Sequence, residues 1–326
     1  MTDDFDIHGV HLRVSSDDAE VEQQIARRLR WLRGASDGGR PDIDIRIRAD
    51  RDAPELVAPA QRRRVYDPPE GEVSVCVETG RLWMQSGGVS VLLDPVAGHV
   101  DVRVVEPTAQ QRWLVSHGFF TVILVEALKH RARYPVHASS CERDGRAVLF
   151  AGSSGSGKTT LCLALLRAGF GYLGDDTVFI DASGAEPIAL AFPDEIDITS
   201  TTAALFPELS ELVSQEPPCG ASKLPVLAED LYGTKPTRRA QPVALVFPRI
   251  ASGKSALTPC STSDALRELV ANVLLTEQTA TQAHLDVLGR LARDLPAFRL
   301  ETGQDLDRLP ALMQPLIARL ISPREG

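Results

Sequence analysis

Gly152-Ser153-Ser154-Gly155-Ser156-Gly157-Lys158-Thr159-Thr160 decides how this chain is read. Gly152, Gly157, Lys158 and Thr159 fill the spacing G-x-x-x-x-G-K-[ST] of a phosphate-binding P-loop, the Walker A pattern. Arg146 to Ala151 is a short apolar run that predicts a buried strand before the loop. Leu161 to Ala168, rich in Leu and Ala and stopped by Gly169, predicts the helix after it. Glycines let successive backbone N–H groups curl around a phosphate, and the helix N-terminus adds partial positive charge. Lys158 is expected to reach the β- and γ-phosphates and the Thr159 hydroxyl to ligate Mg²⁺. The alternative is a Gly/Ser-rich link between strand and helix with no ligand.

Around this centre the chain has 326 residues, room for one large domain or two moderate ones. A hydrophobic content of 43% and a charged content of 24% suit a globular protein. The formal charge of -9 argues against a nucleic-acid partner, and Arg62-Arg63-Arg64 and Arg238-Arg239 read as solvated surface. Five cysteines without C-x-x-C spacing speak against a zinc site or a disulfide framework and for a reducing, cytoplasmic setting. No stretch has the ~18 apolar residues of a membrane span, so no membrane partner is expected.

Upstream, His8 to Val14 predicts a strand, and Val21, Ile25, Leu29 and Leu32 recur at helical spacing. Ile43, Ile45 and Ile47 alternate with charged residues as in a half-buried strand, and Asp50 to Gly71 reads as loop. From Val73 to Val104 apolar residues alternate between short turns, the pattern of an antiparallel meander. Residues 1–106 are therefore expected to form an N-terminal α+β antiparallel domain. Residues 107–326 form the second domain, entered by one long helix from about Thr108 to Ala132. Beyond the loop, Val178 to Ile180, Val243 to Phe247 and Phe298 to Leu300 predict strands. Pro193 to Pro242 reads as loop-dominated, and helices are expected near Ser263 to Leu274, Gln282 to Arg293 and Leu306 to Leu320.

A phosphate-binding loop that works on phosphoryl groups needs acids beside it. The conspicuous pair is Asp175-Asp176, 17 and 18 residues beyond Lys158 and before the apolar strand, where most such sites place an acid after it. A solvated turn is the alternative reading of that pair. Asp181, at the end of Val178-Phe179-Ile180, is the metal acid on the ordinary plan. Asp194, Glu195, Asp197 and Ser222-Lys223 are further polar candidates for the cleft.

The run His137, Gly152 to Thr160, Gly169 and Tyr172-Leu173-Gly174-Asp175-Asp176 resembles the catalytic domain of HPr kinase/phosphorylase and its kinase-like relatives, whose P-loop core is akin to that of phosphoenolpyruvate carboxykinase. The resemblance covers Val136 to Ile180 well and the rest of the C-terminal part loosely. It implies an α/β P-loop kinase core of that type, ATP and Mg²⁺ as cofactors, and phosphoryl transfer to a hydroxyl, serine first among them. It also implies Asp175 as the base that accepts the hydroxyl proton, Asp176 with Thr159 at the metal, and His137 in support, although a buried, satisfied histidine is equally in keeping with its setting. The glutamate- and glycine-containing segment that HPr kinases carry downstream has no counterpart here, so the acceptor stays open among proteins, peptides and small molecules. The N-terminal domain is then expected to recognise or present the acceptor, and homo-oligomerisation stays open. A nucleotide-driven switch or accessory ATPase, and a non-catalytic nucleotide-binding subunit, are the other readings.

Overall fold

A computed structural model describes residues 2–34, 38–49, 56–66, 72–76, 78–221, 223–234, 236–273 and 278–318. In chain order the strands and helices begin with β1 (Thr2–Ile7), β2 (Val10–Ser16), α1 (Ala19–Arg28), β3 (Ile43–Arg48), β4 (Arg62–Tyr66), β5 (Glu72–Cys76), β6 (Leu82–Ser86), β7 (Val89–Asp94), β8 (His99–Val104), α2 (Ala109–Ser116) and α3 (Gly118–Lys129). There follow β9 (Tyr134–Val136), β10 (Ala138–Arg143), β11 (Arg146–Ala151), α4 (Lys158–Arg167), β12 (Gly171–Gly174), β13 (Val178–Asp181), β14 (Ile188–Leu190), β15 (Ile196–Ile198), α5 (Ser200–Ala203), β16 (Leu224–Val226) and α6 (Ala228–Tyr232). The chain closes with β17 (Arg239–Ile250), β18 (Ala256–Pro259), α7 (Thr262–Val270), α8 (Gln278–Asp294), β19 (Ala297–Thr302) and α9 (Leu309–Ala318). Two compact units result, one of Met1–Tyr134, Pro218–Gly220 and Leu274–His284, the other of Pro135–Pro217, Ala221–Val273 and Leu285–Gly326.

The first unit is built on one sheet in the order β1-β2-β3-β8-β7-β6-β5-β4. Alternation puts Ile43, Ile45 and Ile47 on the same buried side as Val89, Val91, Leu93, Val100, Val102 and Val104. The meander β5 to β8 is antiparallel as expected, but β3 pairs parallel with both β2 and β8. The sheet is thus mixed and not simply antiparallel: α1 connects β2 to β3, a crossover that allows that neighbouring pair to run parallel. Asp18 caps α1, its carboxylate accepting from the N–H groups of Glu20 and Val21 at 3.0 and 3.1 Å. The other Asp18 oxygen accepts from Arg112 Nε of α2 at 2.7 Å.

The long helix expected from Thr108 to Ala132 is broken. α2 ends and α3 begins around His117, whose backbone (φ −123°, ψ −84°) leaves the helical region. The buried Arg28 of α1 holds that break open. Its Nη1 donates to the carbonyl of Ser116 and, at 3.2 Å, to that of His117, while Nη2 donates to Thr121 Oγ1 at 3.0 Å. A guanidinium that takes two consecutive carbonyls fixes the chain where the helix changes direction.

The second unit is α/β. Its sheet runs β12-β10-β11-β17-β14-β13-β9, with β19 also on β17 and β18 on β19. At the centre β11, β17 and β19 run parallel, and the flanking pairs are antiparallel. Leu161 to Leu166 of α4 are all buried, so the middle of this helix is apolar on every side, as a helix enclosed by its neighbours must be. It packs with Val148, Phe150 and Val246 of the sheet, Ile196 and Ile198 of β15, and Leu309, Met313, Leu316 and Ile317 of α9. The segment read as loop between Pro193 and Pro242 contains β15 and β16, paired antiparallel with Ile198 opposite Leu224.

Candidate functional site

The apolar strand β11 delivers the chain to Gly152, and α4 begins at Lys158, so the loop predicted from the motif is a strand–loop–helix turn. Gly157 caps the helix in the left-handed region (φ +99°), where a side chain strains the backbone. At Gly152 a Cβ would come within 2.9 Å of Ser156 Oγ, so the loop closes only around a glycine. Ser156 Oγ itself is buried and has no hydrogen-bond partner among the described residues. Ser153, Ser154, Gly155 and Thr160 complete the loop and the first turn of α4.

Lys158 is buried, and its ammonium lies back over the loop, donating to the carbonyls of Gly152 at 2.7 Å and Ser153 at 3.1 Å. Burial lowers its pKa, and Asp176 and Asp175 pull the other way. Both acids face the loop from the turn after β12. Asp175 is 5% exposed. Its Oδ2 accepts from Thr159 Oγ1 at 2.9 Å and its Oδ1 from the hydroxyl of Ser139 on β10. Burial, then the neighbouring Asp176 charge, push its pKa up to about 6 against those two hydrogen bonds.

Asp176 differs in every respect. It sits in the left-handed region at φ +76°, a conformation that costs a residue with a Cβ about 1 kcal/mol, and its side chain is 57% exposed. His137, in the step between β9 and β10, places Nε2 3.5 Å from Asp176 Oδ1. Burial lowers the pKa of His137, opposed by Asp176, so the imidazole favours its neutral form.

Asp181 ends β13 and accepts from the N–H and hydroxyl of Ser183 at 3.0 and 2.6 Å, closing a local turn. Asp194 supports the site through its backbone, its carbonyl accepting from the buried Tyr172 hydroxyl at 3.1 Å. Asp197 on β15 has its pKa raised to about 6 by burial, with Asp176, Asp175 and Asp194 adding to the rise and Lys223 opposing it. Lys223 Nζ is 4.0 Å from Asp197 Oδ2. Ser222 lies outside the described residues. Sequence reasoning gave no role to Ser139. Its place two residues beyond His137 on an alternating strand is the signal that it faces the same side.

Oxygen atoms dominate what surrounds the loop: the Thr159 hydroxyl, two carboxylates and an orphaned serine hydroxyl. Such a donor set suits a hard cation such as Mg²⁺, which takes one or two carboxylates together with phosphate oxygens and needs no cage of protein ligands. Three or more His, Cys, Asp or Glu side chains grouped for a metal are not found among the described residues.

No family model matches this chain, and comparison with curated proteins gives no match. Among solved structures it is similar to the HPr(Ser) kinase/phosphatase from Coxiella burnetii at 13% sequence identity and a TM-score of 0.31, over 56% of this chain and 93% of that one. At so low an identity and TM-score the likeness says nothing of this chain's chemistry, which rests on the residues described above.

Proposed function

We propose that this protein is an ATP-dependent kinase that moves the γ-phosphoryl group to a hydroxyl of a protein, peptide or small molecule. One observation carries the reading. The two adjacent aspartates face the same phosphate loop but meet different partners, Asp175 the Thr159 hydroxyl and Asp176 the His137 ring. A site that only binds nucleotide has no use for the second, exposed acid.

In this reading the backbone N–H groups at the start of α4 hold the phosphates, and Lys158 exchanges the Gly152 and Ser153 carbonyls for phosphate oxygens. Thr159 and Asp175 hold Mg²⁺, which when bound neutralises phosphate charge as the phosphoryl group moves. The contacts therefore favour the reverse of the division that the resemblance implies: Asp175 on the metal side and Asp176 as the base. The acceptor oxygen bonds to the γ-phosphorus, the bridging oxygen leaves with ADP, and the hydroxyl proton passes to Asp176. His137 orients that carboxylate and, being neutral, leaves it free to accept.

The test uses the full chain with γ-labelled ATP and Mg²⁺ and a panel of serine peptides and hydroxylated small molecules. Label is expected on an acceptor and is expected to vanish in Asp176→Asn. Label that ends only as free phosphate, at a rate indifferent to Asp176, turns the assignment to an accessory ATPase.

A further inference from the structure

Among the described residues, Lys158, His137 and Lys223 act on the same acids beside the P-loop, and two of the three are committed. Lys158 is tied to loop carbonyls and His137 stands against Asp176. The third is Lys223, just before β16. Pairing of β16 with β15 carries it to Asp197, and the charge of Lys223 is felt at Asp175, His137 and Lys158 as well. Its side chain is 35% exposed, and its ammonium lies 4.0 Å from Asp197 Oδ2, beyond direct hydrogen-bond reach. Nearby stand Asp175, Asp176, Asp194 and Asp197, an excess of negative charge into which a triphosphate would bring more. Binding such an anion there demands a further cation beside those acids.

We propose that Lys223 is a second phosphate-binding cation of this site, which leaves Asp197 to contact the terminal phosphoryl group of a bound nucleoside triphosphate. This deepens the kinase reading and rests on it. Asp197 is the resting partner that keeps the ammonium near the mouth without holding it in a closed hydrogen bond. Because Lys223 stands beside Asp197 and not among the loop carbonyls that hold Lys158, its contact is assigned to the phosphoryl group that is transferred. The diphosphate left behind stays with the loop and Lys158. Lys223 thereby discriminates triphosphate from diphosphate.

The test measures binding of Mg²⁺ with a non-hydrolysable ATP analogue and of Mg²⁺-ADP to the full chain by calorimetry. Lys223→Met, which keeps the apolar stem, is expected to weaken the ATP analogue about tenfold and leave ADP unchanged, and Lys223→Arg to restore most of the loss. Asp197→Asn frees the ammonium and is expected to bind the analogue at least as well as the parent. If Lys223→Met weakens both nucleotides equally, or neither, the inference is overturned. If Asp197→Asn reproduces the Lys223→Met loss, the two residues are a brace of the β15–β16 pair and the inference is overturned too. Failure of the kinase reading looks different: the parent binds neither nucleotide, or Lys158→Ala binds both as the parent does.

Discussion

The Thr159 hydroxyl donates to Asp175 over 2.9 Å across 16 positions of sequence, joining the first turn of the loop helix to the turn after β12. Asp175 also accepts from Ser139 of β10, so one buried carboxylate gathers three elements of the second unit around the loop.

Since Asp175 and Asp176 meet different partners, their substitutions should separate. Asp175→Asn keeps the shape but halves the acceptor capacity facing Thr159, so Mg²⁺-nucleotide affinity and turnover should fall together. Asp176→Asn should bind nucleotide like the parent while transfer falls ~10²–10⁴-fold, the usual worth of a positioned base. Titration of nucleotide affinity beside turnover decides it. The opposite pattern restores the division implied by the resemblance, with Asp175 as base.

Burial of Asp175 has a signature in pH. Its pKa rises on folding from 3.8 to about 6, so the protonated form is the one the fold prefers. The stability this contributes is present below pH ~4 and is lost as pH rises through about 6. Without nucleotide or metal, Asp175→Asn should match the parent near pH 4 and exceed it at pH 7.5 by ~2–3 kcal/mol, a shift of several degrees in melting temperature. Scanning calorimetry at the two pH values checks this, and a parent that gains on the variant as pH rises contradicts it.

Lys158→Ala removes a buried cation whose present partners are carbonyls of its own loop. The loop is shaped by its glycines, so the variant should melt within a few degrees of the parent yet lose ATP affinity by at least ~100-fold, since each charge-assisted hydrogen bond to phosphate is worth ~1.5–3 kcal/mol. A variant with parental affinity would falsify the phosphate-loop assignment itself.

In the first unit Asp18 both caps α1 and pairs with Arg112 of α2. Asp18→Ala should cost about 1–2 kcal/mol, read as a lower urea midpoint, and Asp18→Asn should recover the capping share of it. Equal losses in the two variants place the whole effect in the ion pair.

What the chain discloses before folding is uneven, and the reasons are physical. The strand–loop–helix turn at Gly152 to Thr160 was legible because its glycines act through local backbone geometry, which spacing encodes. Alternation also marked the strands from Val73 to Val104, but it carries no strand direction, so the parallel pairing of β3 with β2 and β8 was hidden. The helix break at His117 was invisible because its cause, Arg28, is 88 positions from Ser116. Ser139 and Thr159 reach Asp175 only once the sheet has set β10 beside β11 and β12. β15 and β16 escaped notice because three-residue strands among prolines and serines carry too little pattern.

The enclosure of α4 bears on how such a protein diversifies. From Leu161 to Leu166 the helix offers no side chain to the outside, so in a kinase of the proposed kind none of these is free to be recruited for telling one acceptor from another. Changes in it register as cavities in the core and are selected against for that reason alone. In that reading discrimination falls to the outward-facing residues of the segment between Pro193 and Pro242, since its Ile196, Ile198, Ala203, Phe206 and Leu209 share the core of the helix. A lineage of such proteins is expected to keep one engine and vary its reader.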